Sequence, residues 1–193
     1  FWGPINGEGV WLELDSMLRE TWRHPHGAMI GISAACIDSG DGGHTEIVNA
    51  FARPRFGRRV VPIKGVSGFS RPFLQKSGSQ HLWLVGSDAV KSNLFARLSR
   101  SAGIRFGADL QPIFFEQLAS ERRIVRYTRG QPVARFERIK GKRAETLDAT
   151  VYAWAARSLI NQNAERRGEE LASLTAPKRA PAIIRSAWLE GLR

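Results

Sequence analysis

The chain has 193 residues, of which 42% are hydrophobic, a length that suits one compact domain rather than two. Its 29 Lys and Arg against 18 Asp and Glu give a net charge of +11, which indicates a polyanionic partner, nucleic acid first and an anionic membrane second. Composition argues against a collagen-like or wholly disordered protein, the single Cys excludes an intramolecular disulfide, and no apolar run is long enough to span a membrane.

The first forty residues predict a helix and then a buried strand. Apolar residues from Trp11 to Trp22 repeat at helical spacing, so we expect a helix over residues 10–23. An almost uninterrupted apolar run at 29–37 ends at Asp38, which suits a strand buried on both faces. Cys36 lies in this run and is expected to pack as a small buried hydrophobe.

The middle of the chain continues this alternation. The expected elements are a helix at 45–52, a strand at 58–63, an irregular stretch at 64–80, a strand at 81–85 and a helix from 86–88 onward. On that last helix we expect Asp88 to cap the N-terminus and to pair with an outward-pointing Lys91. Helices that alternate with strands indicate an α/β fold.

The last third predicts a small helix at 112–119, a β-hairpin at 122–139 and a long helix at 144–163. Beyond that helix the composition becomes charged and rich in Ala, and two prolines interrupt it. We therefore expect one domain at residues 1–163 and a peripheral helical tail at 164–193.

Two carboxylates are candidate catalytic residues and metal ligands. Asp38 ends a strand, and Asp148 lies in the first turn of the long helix, so both could reach the carboxyl edge of the sheet. Phosphodiester hydrolysis commonly uses such acids to hold two Mg²⁺ or Mn²⁺ ions. From spacing alone a structural role is favoured, because Asp38 begins an ordinary turn and Asp148 complements the helix dipole.

Basic residues concentrate in two stretches. Residues 48–86 contain seven Lys and Arg and no acid, and residues 122–143 contain nine against Glu137 alone. Such side chains supply salt-sensitive affinity for phosphates, although charge runs are often simply solvated faces. No phosphate-binding loop of the Walker type and no serine-hydrolase elbow is present, and His24 and His26 lack the partners of a metal site.

Several motifs, in order, resemble the nuclease domain of lambda-type phage terminase large subunits. They are ACIDSG at 35–40, RRVVPIKG at 58–65, LVGSDAVK at 84–91 and KRAETLDATVYA at 142–153, together with the Trp-containing helix at 11–22. The last motif departs from the family at Ala144, where the pattern usually has Asn. The resemblance covers residues 10–157.

The resemblance implies an RNase H-like mixed sheet flanked by helices, with an added basic β-hairpin, and a metal-dependent endonuclease that cuts concatemeric viral DNA. In that pattern Asp38 matches the second metal-binding acid and Asp148 the third. The first acid belongs to a strand upstream of Phe1, and the ATPase motor of the family is also missing. We therefore expect the domain to lack the first strands of the family's fold. This chain alone is expected to cut DNA weakly or not at all.

The expected partner is double-stranded DNA, with the terminase small subunit and the portal or procapsid as partners of the full-length protein, in the cytoplasm of a bacterial host and without a membrane. The candidate DNA-binding residues are Arg58, Arg59, Lys64, Arg126, Arg129, Lys140, Lys142 and Arg143. Two alternatives stay open at this stage. One is a non-catalytic, basic DNA-binding remnant of a prophage terminase, and the other is a different RNase H-like nuclease, of the resolvase or transposase type.

Overall fold

The structure is a computed structural model. It describes residues 3–25, 27–40, 42–78, 81–100, 103–128, 130–161 and 163–174. The chain divides into two compact units, one formed by residues 1–20 and 31–161 and the other by residues 21–30 and 162–193.

The helices in the described residues are α1 (Glu8–Met17), α2 (Thr45–Ala52), α3 (Ser87–Leu98), α4 (Pro112–Leu118), α5 (Glu145–Ala156) and α6 (Ala164–Ser173). The strands are β1 (Thr21–Arg23), β2 (Met29–Gly31), β3 (Ala35–Asp38), β4 (Val60–Val66), β5 (Gln75–Lys76), β6 (Trp83–Gly86), β7 (Glu121–Thr128) and β8 (Gln131–Arg138). Two 3₁₀ segments, Arg53–Arg58 and Arg157–Leu159, follow α2 and α5. None of the described helices is long and apolar enough to cross a membrane.

The larger unit is built on a four-stranded mixed sheet in the order β3-β4-β6-β5. Strand β4 pairs in parallel with β3 and β6, whereas the two-residue β5 is antiparallel to β6. In this register Asp38 lies opposite Ile63, so the ends of β3 and β4 reach the same edge of the sheet. The first residues of α3 follow β6 directly, which brings the start of this helix to that edge as well.

Helices cover both faces of this sheet. Successive strand residues point to opposite sides, so one strand can pack against helices on both faces. On one face Val60 packs with Phe51 of α2 and Leu18, and partly buried residues of α1 complete this cluster. On the other face the larger core includes Ile63 and Val85 of the strands together with Val90, Leu94, Leu147 and Val151 of α3 and α5. The expected α/β fold with a mixed sheet between helices is confirmed.

The predicted hairpin is also confirmed, as β7 and β8. The two strands pair in antiparallel register from Glu121 opposite Arg138 to Thr128 opposite Gln131. Gly130 in the connecting turn has a φ of +77°, a conformation that costs glycine little because it has no Cβ.

The expected helix at 10–23 and the expected strand at 29–37 are both too long. Helix α1 ends at Met17, and Trp22 lies on the exposed strand β1 of the smaller unit. The apolar run divides into β2 and β3. The β3 side chains are only half-buried because β3 is an edge strand of the four-stranded sheet. Hydrophobicity alone does not distinguish such an edge strand from a fully buried one. Cys36 nevertheless packs against the larger core, and burial raises its thiol pKa to about 12.

Two further boundaries differ from expectation. Strand β4 continues to Val66 and β5 lies at 75–76, so the stretch at 64–80 is partly regular. The long helix ends at Ala156 rather than at 163, and Asn163 instead caps α6 by accepting a hydrogen bond from the Glu165 backbone N–H at 2.9 Å. Residues 175–193 of the expected tail lie outside the described residues.

Candidate active site

Asp38 lies at the end of β3, where its carboxylate is exposed and held from two directions. Its Oδ1 accepts a hydrogen bond from the backbone N–H of Gly40 at 2.8 Å, which closes the turn after the strand. Its Oδ2 accepts a hydrogen bond from the hydroxyl of Tyr152 at 3.0 Å. The turn predicted from Asp38 is therefore present, and the same carboxylate also contacts helix α5.

Asp148 occupies the first turn of α5, four residues before Tyr152. Residues at this spacing lie on one face of a helix, so Asp148 and Tyr152 are neighbours there. The carboxylates of Asp38 and Asp148 both raise the pKa of the Tyr152 hydroxyl, after the larger effect of its burial. Tyr152 thus binds the acid at the sheet edge and lies one helical turn from the acid at the start of α5.

Two cations flank the Asp148 carboxylate without binding it tightly. The Lys91 Nζ lies 3.6 Å from Oδ1, and the Arg138 Nη2 lies 3.7 Å from Oδ2. Burial raises the pKa of Asp148, and the nearby Glu121 adds to that rise, while Lys91 and Arg138 oppose it. The Asp148 side chain is still 38% exposed. Its oxygens are therefore accessible and are not saturated by short contacts.

The expectation for Lys91, which lies beside Asp148, is wrong. Instead of pointing outward and pairing with Asp88, it is 8% exposed, and its Nζ donates to Glu121 Oε2 at 2.7 Å. Asp88 makes no side-chain cap on α3 and instead accepts the backbone N–H of Gly68 at 2.7 Å. Lys91 and Glu121 are thirty residues apart, so no local pattern in the sequence signals this pair.

Gly65 of β4 leaves room for two side chains over the sheet edge. A Cβ at this position would lie 2.9 Å from Ser87 Oγ and 3.2 Å from the Tyr152 hydroxyl. The neighbouring Lys64 is exposed, and its Cγ would lie 3.9 Å from a Cβ at Gly40. Lys64 therefore lies beside the turn that carries Asp38.

The candidate DNA-binding residues do not form one group. Arg58 donates to Asp15 Oδ1 at 2.8 Å, so it has a structural partner, and Arg59 is exposed with a φ of 57°. On the hairpin, Arg126 donates to Glu137 at 2.9 Å, whereas Arg129 lies outside the described residues.

The remaining candidates lie between the hairpin and α5. Lys140 and Lys142 are exposed, and Arg143, also exposed, pairs with Glu145 at 3.1 Å. All three precede Asp148 by fewer than ten residues along the chain. Helix α5 begins directly after them, with a 2.9 Å hydrogen bond from the Asp148 N–H to the Ala144 carbonyl. That they lie near the phosphates of a bound DNA stays a prediction.

The donor chemistry suits a divalent metal, but the donor set is small. Carboxylate oxygens are the ligands that Mg²⁺ and Mn²⁺ prefer, and Asp38 and Asp148 supply them at an open edge. Within the described residues no group of three or more His, Cys, Asp or Glu side chains could hold a metal ion. The two acids therefore fit part of a metal site.

Comparisons with known proteins agree with the resemblance seen in the motifs. Over 173 residues, 80% of this chain, it is 32% identical to the terminase large subunit of Enterobacteria phage P21. It is 26% identical over 172 residues to the terminase large subunit of Escherichia phage lambda. The chain spans about a quarter of the length of these relatives, 26% in each case. No solved structure matches it.

A family model, "Terminase large subunit gpA, endonuclease domain", matches residues 1–167. This match includes the sheet, the hairpin and α5, and with them Asp38, Tyr152 and Asp148. It favours the terminase interpretation over the resolvase and transposase alternatives. The chain belongs to the endonuclease-domain family of the terminase large subunit gpA.

Proposed function

We propose that this chain is a metal-dependent DNA endonuclease domain that cuts concatemeric phage or prophage DNA during genome packaging, with an RNase H-like arrangement of its acids. One observation carries the proposal: Asp38 at the end of β3 accepts a hydrogen bond from the Tyr152 hydroxyl, and Tyr152 lies one helical turn after Asp148 on α5. A sheet edge and a helix start hold two oxygen donors on rigid elements, which suits phosphodiester hydrolysis.

In this proposal Asp38 and Asp148 would hold Mg²⁺ or Mn²⁺, two ions in the hypothesised mechanism, and the bound metal would supply activation of the attacking water and stabilisation of the leaving oxygen. The Gly40 N–H and the Tyr152 hydroxyl orient the Asp38 carboxylate. The ammonium of Lys91 and the guanidinium of Arg138 balance part of the charge of Asp148.

The exposed cations around the acids would bind the DNA backbone. Lys64 lies beside the Asp38 turn, and Lys140, Lys142 and Arg143 precede Asp148. Phosphate contacts of this kind fix the position of the duplex without reading its sequence. We further propose that the full-length protein acts in the host cytoplasm and binds the terminase small subunit and the portal or procapsid. These partners follow from the terminase family and not from any contact in this chain.

Two carboxylates hold a divalent ion less firmly than three. We therefore propose that a third donor comes from the upstream part of the longer protein and that this chain alone cuts DNA weakly or not at all. The test compares Mn²⁺-dependent nicking of supercoiled plasmid by this chain and by a version extended upstream to the length of its phage relatives. Faster cutting by the extended protein is expected, and equal vigorous cutting by both would count against the missing donor.

Asp38→Asn and Asp148→Asn then test the site in the extended protein. Each should lower the nicking rate by about 100-fold or more, since loss of a ligand costs more than the 10- to 100-fold typical of its supporting contacts. Asp109→Asn, an exposed carboxylate on the loop before α4, is the matched control and should cut normally. Mn²⁺ titration calorimetry provides the second readout. Undiminished cutting by Asp148→Asn would overturn the proposed site, and metal-independent DNA retention alone would favour the non-catalytic alternative.

A further inference from the structure

The pairing register of the hairpin sorts its side chains onto two faces, because residues directly opposite each other in an antiparallel pair lie on the same side. We call one side the site face, and it consists of Glu121, Arg123, Val125, Tyr127, Pro132, Ala134, Phe136 and Arg138. The other side, the reverse face, includes Arg122, Ile124, Arg126, Val133, Arg135 and Glu137.

The inner half of the site face packs on the body of the larger unit. Phe136 contacts Phe95 of α3 and Phe69, with ring centroids 5.7 and 5.8 Å apart, and the Arg123 guanidinium lies 4.9 Å from the Phe69 ring. On the same face Arg138 approaches Asp148, and Glu121 binds Lys91. These contacts fix the orientation of the hairpin and place the candidate active site at its base.

The outer half of the same face extends beyond these contacts and is apolar. Tyr127 is 77% exposed and Val125 57% exposed, and Pro132 is also exposed. Tyr127 is the most exposed large apolar side chain in the part of the chain that the structure describes. An isolated exposed valine would be unremarkable, but an aromatic ring beside a valine on a strand pair that projects from an active site is typical of a contact surface.

The hairpin is strongly basic around this apolar surface. Residues 121–138 contain six Arg and two Glu, a net charge of +4. Both glutamates already have cationic partners within the protein, Glu121 in Lys91 and Glu137 in Arg126. An apolar strip on a cationic ribbon complements nucleic acid, whose grooves offer base edges and sugars between two rows of phosphates.

We propose that the outer half of the site face is a groove-contacting surface, in which Tyr127 and Val125 lie against the bases and sugars of duplex DNA. This inference rests on the proposed function for its substrate and adds how the substrate is held. The major groove admits a two-stranded ribbon of this kind. At about 3.3 Å per residue, Tyr127 lies roughly 20 Å along β7 from Glu121, so the contacted bases are about six base pairs from those at the active site.

The experiment measures binding of a fluorescent 30-base-pair duplex to this chain by anisotropy, with EDTA present so that no cutting occurs. Tyr127→Ala should weaken binding about tenfold, because it removes an aromatic ring whose apolar area would be buried against the groove. Tyr127→Phe should bind like the wild type, because the ring rather than the hydroxyl makes the contact. Heparin, a polyanion without bases, should bind equally to all three proteins.

Val125→Ala and Val133→Ala provide a matched pair, since they make the same change on opposite faces of one hairpin. We expect Val125→Ala to weaken DNA binding two- to threefold and Val133→Ala, which is on the reverse face, to have no effect. Normal DNA binding by Tyr127→Ala, an equal loss of DNA and heparin, or a loss confined to Val133→Ala would each overturn the inference while leaving the nuclease proposal intact. If the wild-type chain binds no duplex at all, the inference fails, whereas the nuclease proposal is decided separately by cutting in the extended protein.

Discussion

Asp15 and Asp148, two carboxylates of the larger unit, each have basic side chains around them. The two clusters differ in how closely the basic groups approach the carboxylate oxygens. Asp15 on α1 accepts hydrogen bonds at 2.8 Å from Arg55, Arg58 and Arg19, and its side chain is only 13% exposed. Asp148 is 38% exposed and has its two cations at 3.6 and 3.7 Å. The first cluster fastens α1 to the segment after α2, whereas the second leaves its carboxylate oxygens accessible.

This difference separates a carboxylate whose partners all lie within the protein from one whose oxygens are open to a ligand. Three arginines around Asp15 hold its pKa far below the usual range, led by Arg55 and then Arg58. At Asp148, burial raises the pKa although two cations oppose that rise. A carboxylate that its neighbours do not satisfy is the one suited to bind something else, and the predictions below test whether the two clusters behave as differently as their geometry indicates.

The largest effect is expected at Lys91, which links the Asp148 cluster to the hairpin. Lys91→Met leaves the Glu121 side chain, 9% exposed, without its cation and should lower the free energy of unfolding by about 3 kcal/mol. Urea denaturation measures the change. The double variant Lys91→Met with Glu121→Leu removes both charges and should recover most of the loss. If Lys91→Met alone unfolds like the wild type, the pair does not fasten the hairpin base.

The next effect is expected at Asp15. Asp15→Asn should lower the free energy of unfolding by about 1–2 kcal/mol at pH 7, because it weakens the hydrogen bonds from three arginines. The native pKa of Asp15 lies below its unfolded value, so the wild type has this stabilisation above about pH 4 and loses it as the pH falls further. Thermal denaturation between pH 3 and 7 should therefore show the two proteins converging in acid, with exposed Asp109→Asn as the control.

A smaller effect is expected at Tyr152, through its hydrogen bond to Asp38. Tyr152→Phe removes this hydroxyl and should weaken Mn²⁺ binding about tenfold, as other losses of support to a metal ligand do. The free energy of unfolding should change by less than about 1 kcal/mol. Tyr127→Phe deletes the hydroxyl of the other tyrosine in the chain and is the matched control for Mn²⁺ calorimetry. Equal Mn²⁺ affinities of the two variants would mean that Tyr152 does not orient Asp38.

Local patterns in the sequence predicted much of the fold and the positions of Asp38 and Asp148 within it. Helix α2, the hairpin and the position of Asp148 in the first turn of α5 follow from hydrophobic periodicity and turn signals. Asp38 was predicted at a strand end because an abrupt Asp-Ser-Gly stops an apolar run. These features depend on interactions among residues close in the chain, which is the range over which propensity and pattern act.

The contacts that distinguish the two clusters could not be predicted in this way. Asp15 lies forty residues before Arg55, Lys91 thirty before Glu121, and Asp38 more than a hundred before Tyr152. A basic residue in a charge run has the same local signature whether it faces solvent or a distant carboxylate. For this reason Lys91 was expected to point outward, and Arg58 was grouped with the DNA-binding residues although it binds Asp15.

The smallest expected effect separates Arg58 from Lys64, two cations six residues apart. Lys64 is exposed beside the Asp38 turn, so Lys64→Gln should lower DNA affinity a few-fold and reduce the slope of log affinity against log salt by about 0.9, the value of one phosphate contact. Arg58 is committed to Asp15, so Arg58→Gln should leave this slope unchanged and instead lower the free energy of unfolding. Anisotropy titrations of one duplex between 50 and 200 mM salt, a range over which such contacts are resolved, measure both slopes. An equal loss of slope in the two variants would mean that Arg58 leaves Asp15 to bind DNA. The Asp15 cluster would then supply a phosphate contact rather than hold α1 in place.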